Sequence, residues 1–313
     1  MRAKLKTING DMMMLLFTVW MMAHAFVIIP LVTPALPEFL VRNYTKLIIL
    51  FLPFILYLLV SRQKPTDVLK LKLPKLKHIL LSVVIGVALV PFVALSAMLV
   101  PLLSDLIFPA VEVPATAGDA GISLGNVLLT SAVFAALFEE ILFRGVFYNQ
   151  YEKQGVPVFK IIIATSLVFA LIHGNLVQII YAFPFGILLA YLLYYSRSIW
   201  VPIVAHFVTN AVGFTMFYMM TAAEYAYEAV ETAAASNDLL WGILIFVIVC
   251  LIMMPIIILC VKSFQKYHAE ASEAAQSDVK TGDSAKPNVF TWAFWVLVVI
   301  WVAFTLLISF GVI

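Results

Sequence analysis

Read for its apolar and polar positions, the chain is a succession of long apolar runs separated by short polar connections. A hydrocarbon core of about 30 Å needs roughly 20 apolar residues of helix. On that ruler nine segments qualify, at approximately 12–34, 45–61, 78–102, 124–147, 157–173, 176–195, 199–220, 240–263 and 290–312. The pattern therefore predicts an all-α fold, a polytopic transmembrane helical bundle of about eight to nine spans. The tight "HGN" turn at 173–175 is its least secure boundary.

The connections give a sidedness, because cytoplasmic loops are enriched in Lys and Arg. Loop 62–77 carries Arg62, Lys64, Lys70, Lys72, Lys75 and Lys77, whereas loop 103–123 carries no Lys or Arg and includes Asp105, Glu112 and Asp119. Lys153, Arg197 and Lys262 continue the alternation, and loop 221–239 is acidic again, with Glu224, Glu228, Glu231 and Asp238. The expectation is a cytoplasmic N-terminus and an external C-terminus, with Arg42 and Lys46 as the exception. Arg2, Lys4 and Lys6 followed by "AHA" at 23–25 resemble a signal peptide, but the apolar run continues to about Leu36, which favours an uncleaved first span.

Composition agrees with this picture: 64% of residues are hydrophobic, only 12% are charged, and mean hydropathy is +1.07. A soluble domain is roughly a quarter charged. No Gly-rich phosphate loop and no basic patch with interleaved aromatics is present, which excludes nucleic acid as a partner; no internal repeat suggests a transporter. Cys250 and Cys260 lie in one apolar run and read as packing residues. "DVLKLKLPKLKH" (67–78) reads as an interfacial segment attracted to anionic lipid. Three regions follow: N-terminal helices over 1–123 with the basic segment 62–78, a central helical core over 124–220, and 221–313. The last comprises an acidic outer loop and two further spans joined by a polar linker at 264–289.

Ionisable groups inside a span are costly and mark candidate functional sites. The stretch "FEEILFRG" (138–145) contributes Glu139, Glu140 and Arg144; His173 ends the fifth segment, and His206 with Asn210 lies in the seventh. His24 is a further outlier, read as a packing residue among aromatics. Residues four apart share a helix face. Glu140 and Arg144 are thereby placed to pair, Glu139 points elsewhere, Phe169 lies beside His173, and His206 shares a face with Asn210. A carboxylate, two imidazoles and an amide on three helices can hold and polarise a water, directly or through a metal, and stabilise an oxyanion. At 1.5 Å per residue, Glu139 and His173 come out about 20 and 22 Å from the cytoplasmic ends of their helices, and His206 only about 12 Å. The seventh segment must start deeper or tilt if the three are to meet.

In order and spacing, "EEILFR" (139–144), "FALIH" (169–173) and "HFVTN" (206–210) resemble the EExxxR, FxxxH and HxxxN motifs of the CPBP family of intramembrane proteases. That family includes type II CAAX prenyl endopeptidases and Abi-like bacteriocin-processing or self-immunity proteins. The resemblance covers about 124–215; the two C-terminal spans look like additions. It implies that Glu139 and His173 activate the attacking water and that His206 and Asn210 bind the oxyanion or take part in metal ligation. Glu140, Arg144 and Phe169 would be supporting residues. It leaves open a zinc ion on Glu139, His173 and His206 or a metal-independent, glutamate-type peptidase. The expected substrate is a small membrane-associated peptide or protein, cleaved in a bacterial cytoplasmic membrane. The competing expectation is a non-catalytic immunity or regulatory protein that binds another membrane protein.

Overall fold

The structure is a computed structural model that describes residues 10–37, 40–41, 47–107, 123–228, 237–275 and 289–309. Ten helices organise these residues: α1 (Gly10–Ala35), α2 (Ile48–Ser61), α3 (Pro65–Leu69), α4 (Leu76–Ile107), α5 (Leu124–Lys153), α6 (Val158–Leu171), α7 (Leu176–Ser196), α8 (Trp200–Glu228), α9 (Asn237–Ala275) and α10 (Trp292–Ser309). The described residues contain no strand. The fold is all-α.

Six helices, α1, α4, α5, α7, α8 and α9, are long and apolar enough to cross a membrane; α2, α6 and α10 are apolar but shorter. α6 has 14 residues, about 21 Å of helix, less than a bilayer core. It ends where Gly174 adopts a left-handed φ of 69°, and the Asn175 side chain caps α7 by accepting from Gln178 N–H at 2.8 Å. The "HGN" turn is therefore a genuine reversal, and α6 and α7 pack together as a hairpin.

α5 is the central element. Its most apolar window is 56% buried, against 17% for α9. It touches α1, α2, α3, α6 and α8, while α4 packs on α7, α8 and α9, and α10 packs on α1 and α6. Within α5 two stretches, Leu128–Phe134 and Ile141–Phe147, are π-helical and bracket the α-helical Ala135–Glu140. Such widened turns are uncommon and frequently occur at functional sites.

Three stretches differ from the sequence expectation. The polar linker begins as helix, because α9 continues to Ala275; Lys75 lies over the Tyr267 ring and His78 against Phe264 and Tyr267, which holds that end onto α4. The segment expected to lie on lipid is half inside: Val68 and Leu69 are buried, with Leu69 packed on Gly145 of α5, whereas Leu73 and Leu76 are exposed. α8 also runs through Glu228, so the acidic stretch starts as helix; 229–236, 108–122, the N-terminal basic residues, Arg42 and Lys46 lie outside the described residues.

The ends assigned to one side of the membrane gather at one end of the bundle. Tyr151 donates to Asp11, Lys153 to Gln63, Arg197 to Glu152 at 2.6 Å, and Gln265 to Tyr195 at 3.2 Å. Successive spans therefore run alternately up and down.

Candidate active site

Glu140 is the centre of the polar cluster. Its Oε1 accepts from Arg144 Nη1 at 2.8 Å and from His206 Nδ1 at 2.9 Å, and all three side chains are at most 3% exposed. A carboxylate only accepts, so His206 Nδ1 carries the proton in this contact. That bond turns Nε2 towards Glu139 Oε2, 3.9 Å away. Glu139 keeps 13% of its side chain exposed, while its neighbour Glu140 keeps none. Adjacent residues on one helix thus divide into a buried anchor and an accessible carboxylate.

The second Arg144 nitrogen, Nη2, donates to the carbonyl of Gly186 on α7 at 2.9 Å, and its guanidinium carbon lies 4.5 Å from the centre of the Phe169 ring. Phe169 is fully buried, with His173 at 5.3 Å and His206 at 6.0 Å from its centroid, both edge to face. One ring therefore spaces the arginine from both imidazoles. His173 Nδ1 donates to the Phe169 carbonyl at 2.8 Å, which leaves Nε2 free to accept a proton. Glu139 and His206 both lie close enough to His173 to act on it electrostatically.

Asn210 has a partner across the helices. Its Nδ2 donates to the Ser131 carbonyl of α5 at 2.9 Å, one N–H going to that contact and a second remaining. With the bond from His206 to Glu140, it clamps antiparallel α8 to α5 at two levels. Close crossings elsewhere in the bundle bring α4 onto α8 and α7 onto α6. A Cβ on Gly86 of α4 would come within 2.7 Å of the Val208 side chain, and one on Gly186 would press on Ser166 and Phe169 at 3.1 Å.

The depth mismatch of His206 resolves through the start of α8. Ser198, Ile199 and Val201 are buried, and the strap 70–72 covers them: Ile199 N–H donates to Lys70 O at 3.2 Å, Ser198 Oγ to Lys72 O at 2.6 Å, and Trp200 Nε1 to Leu71 O at 3.4 Å. α8 begins one layer in. The π turn at Ile141–Phe147 also packs more residues into each unit of α5 length than an α-helix would, which shortens the path to Glu139. Burial holds the Lys70 ammonium below the usual lysine range, opposed by Glu152 at 2.5 Å.

Residues 139, 173 and 206 therefore come together from α5, the α6–α7 turn and α8, with 140, 144 and 169 behind them and Asn210 one turn along. The contacts to Gly186, Ser131 and Glu140 were not expected. Each joins residues far apart in sequence, and two of the acceptors are backbone carbonyls, which carry no side-chain signal. His24 is buried beside Trp20, and neither ring nitrogen has a hydrogen-bond partner among the described residues. Cys250 and Cys260 are buried free thiols.

Among the described residues no three or more His, Cys, Asp or Glu side chains are grouped to hold a metal ion. His206 Nδ1 is held by Glu140, which leaves Nε2, facing Glu139, as the ring nitrogen that a metal would take.

Residues 122–212 match the family model described as type II CAAX prenyl endopeptidase Rce1-like. Over 84 residues the chain is 30% identical to a Bacillus subtilis (strain 168) protein described as "Putative membrane peptidase YdiL". That alignment covers 26% of this chain and 34% of the relative, so the likeness spans about a third of the relative's length. No solved structure matches. The three motifs at 139–144, 169–173 and 206–210 all fall within the residues that the family model matches, and over 122–212 the chain is similar to that family of membrane endopeptidases.

Proposed function

We propose that the protein is an intramembrane endopeptidase that hydrolyses a peptide bond in a membrane-associated peptide or protein. The observation that carries the reading is the division between Glu139, accessible and facing His206 Nε2 at 3.9 Å, and Glu140, buried and fixing His206 through Nδ1. A purely structural network has no need of the first carboxylate.

In the proposed reaction a water between Glu139 and the bare Nε2 of His173 gives a proton to Glu139 as its oxygen attacks the scissile carbonyl carbon. The carbonyl π bond opens and the oxyanion develops. With His206 as imidazolium, its Nδ1–H serves Glu140 and its Nε2–H is available to the oxyanion, together with the remaining Asn210 N–H. Glu139, Glu140, Arg144 and His206 then sum to zero charge, which suits a site with little water. Collapse of the intermediate breaks the C–N bond, and the proton held by Glu139 passes to the leaving amine. Arg144 and Phe169 position the ring of His206 without touching substrate.

The test is cleavage of a membrane-peptide library in vesicles by the wild type, Glu139→Ala and His173→Ala, with metal content assayed in each sample. Products from the wild type alone, with all three folded, are expected. Equal cleavage by Glu139→Ala, or a folded wild type that cuts nothing while retaining a membrane-protein partner, would replace the peptidase reading with the binding one.

A further inference from the structure

A cavity of about 350 Å³ lies between α1, α2 and α5, and no residue of the candidate active site lines it. Its walls are apolar: Phe17 and Trp20 from α1, Pro53 and Leu56 from α2, and Leu142 and Val146 from α5. Three further observations bear on what fills it. Leu16, Leu56 and Val60, which also line it, are 55%, 48% and 53% exposed on the outside of the bundle, so the cavity opens sideways towards lipid. Its amide and phenol groups form one connected set, in which Gln63 Nε2 donates to Tyr57 Oη at 2.9 Å and Tyr57 Oη donates to Gln150 Oε1 at 3.2 Å. Lys153 donates to the neutral amide of Gln63, and the exposed Arg62 and Lys64 flank Gln63 in the chain. The adjacent acid, Glu152, is already taken by Lys70 and Arg197.

We propose that this cavity is a binding site for one acyl chain of an anionic phospholipid from the surrounding bilayer, with its phosphate at Lys153, Arg62 and Lys64. The match is one of shape and charge. An apolar slot open to the hydrocarbon takes a chain. The hydrogen-bonded set takes the ester region, and excess positive charge beside it selects an anionic head group. Because α5 forms one wall, the bound lipid would brace the helix that carries Glu139.

The experiment uses the full chain in detergent, offered equal amounts of phosphatidylglycerol and phosphatidylcholine with identical chains, and reads retained lipid by native mass spectrometry. The wild type is expected to retain one phosphatidylglycerol in preference to phosphatidylcholine. Arg62→Gln, Lys64→Gln and Lys153→Gln should each lower that preference about fivefold. Leu56→Trp, on the exposed wall, and Val146→Trp, inside, should each abolish retention, and the first keeps the test decisive if the second fails to fold. Equal retention of the two lipids by the wild type, retention that survives Leu56→Trp in the folded protein, or no retained lipid at all would overturn the proposal. The readout does not involve proteolysis, so its failure is separate from failure of the peptidase reading.

Discussion

Two carboxylates on α5, Glu140 in the middle of the helix and Glu152 at its end, each gather two basic groups in different settings. Glu140 holds Arg144 and His206 where no side chain is more than 3% exposed, whereas Glu152 holds Lys70 and Arg197 with the three side chains 29%, 16% and 48% exposed. Their contact lengths are similar. What differs is the medium: removing one member of a buried pair strands a charge at a cost of about 3–5 kcal/mol. An exposed pair contributes about 0–1 kcal/mol. The inner cluster is therefore a constraint on geometry, whereas in the outer one the exposed Arg197 contact is a minor tie between the ends of α5 and α7.

The sharpest way to break that contrast is Glu140→Ala. It leaves the Arg144 guanidinium buried without its carboxylate, so the thermal unfolding midpoint in detergent should fall in line with a loss of about 3–5 kcal/mol, and turnover should vanish as His206 loses its anchor. Glu139→Gln separates chemistry from stability. Turnover should fall by about 10²–10⁴-fold while the unfolding midpoint stays within error of the wild type. Gly186→Ala comes next: its added methyl meets Ser166 and Phe169 at 3.1 Å, and the resulting shift should lower the midpoint by about 1–3 kcal/mol equivalent and reduce turnover through Arg144. The smallest effect belongs to the outer cluster. Arg197→Gln should change stability by no more than about 1 kcal/mol, and less in high salt.

Lys70 adds a pH signature to the outer cluster. Its folded-state pKa is lowered, chiefly by burial, so the unfolded chain binds more protons between that lowered value and the ordinary lysine value. Stability from this group therefore rises with pH through that alkaline window. Lys70→Met should flatten the rise in a pH series of unfolding midpoints.

Much of this was legible in the sequence because membrane helices obey few rules. Apolar length marked the helices, and the spacing of Glu140 with Arg144 predicted their 2.8 Å pair. Spacing also separated Glu139 from Glu140. What it could not supply was the third dimension. The bond from His206 to Glu140 joins positions 66 residues apart, and that from Asn210 to Ser131 ends on a carbonyl any residue would offer. Amphipathicity alone put 67–78 on the lipid surface, but Val68 and Leu69 found a cleft beside Gly145, a site made by the tertiary fold. Similarly, α6 reads as a span by composition and stops at 14 residues because Gly174 and Asn175 turn the chain.

The central claim is that adjacent carboxylates divide the labour, Glu139 performing chemistry and Glu140 holding the site. The most direct test is turnover per folded molecule of Glu139→Gln on a substrate that the wild type cleaves. A folded, thermally unaltered variant with turnover at least about a hundredfold down is the predicted result. A variant that keeps wild-type turnover would contradict the claim and remove Glu139 from the reaction.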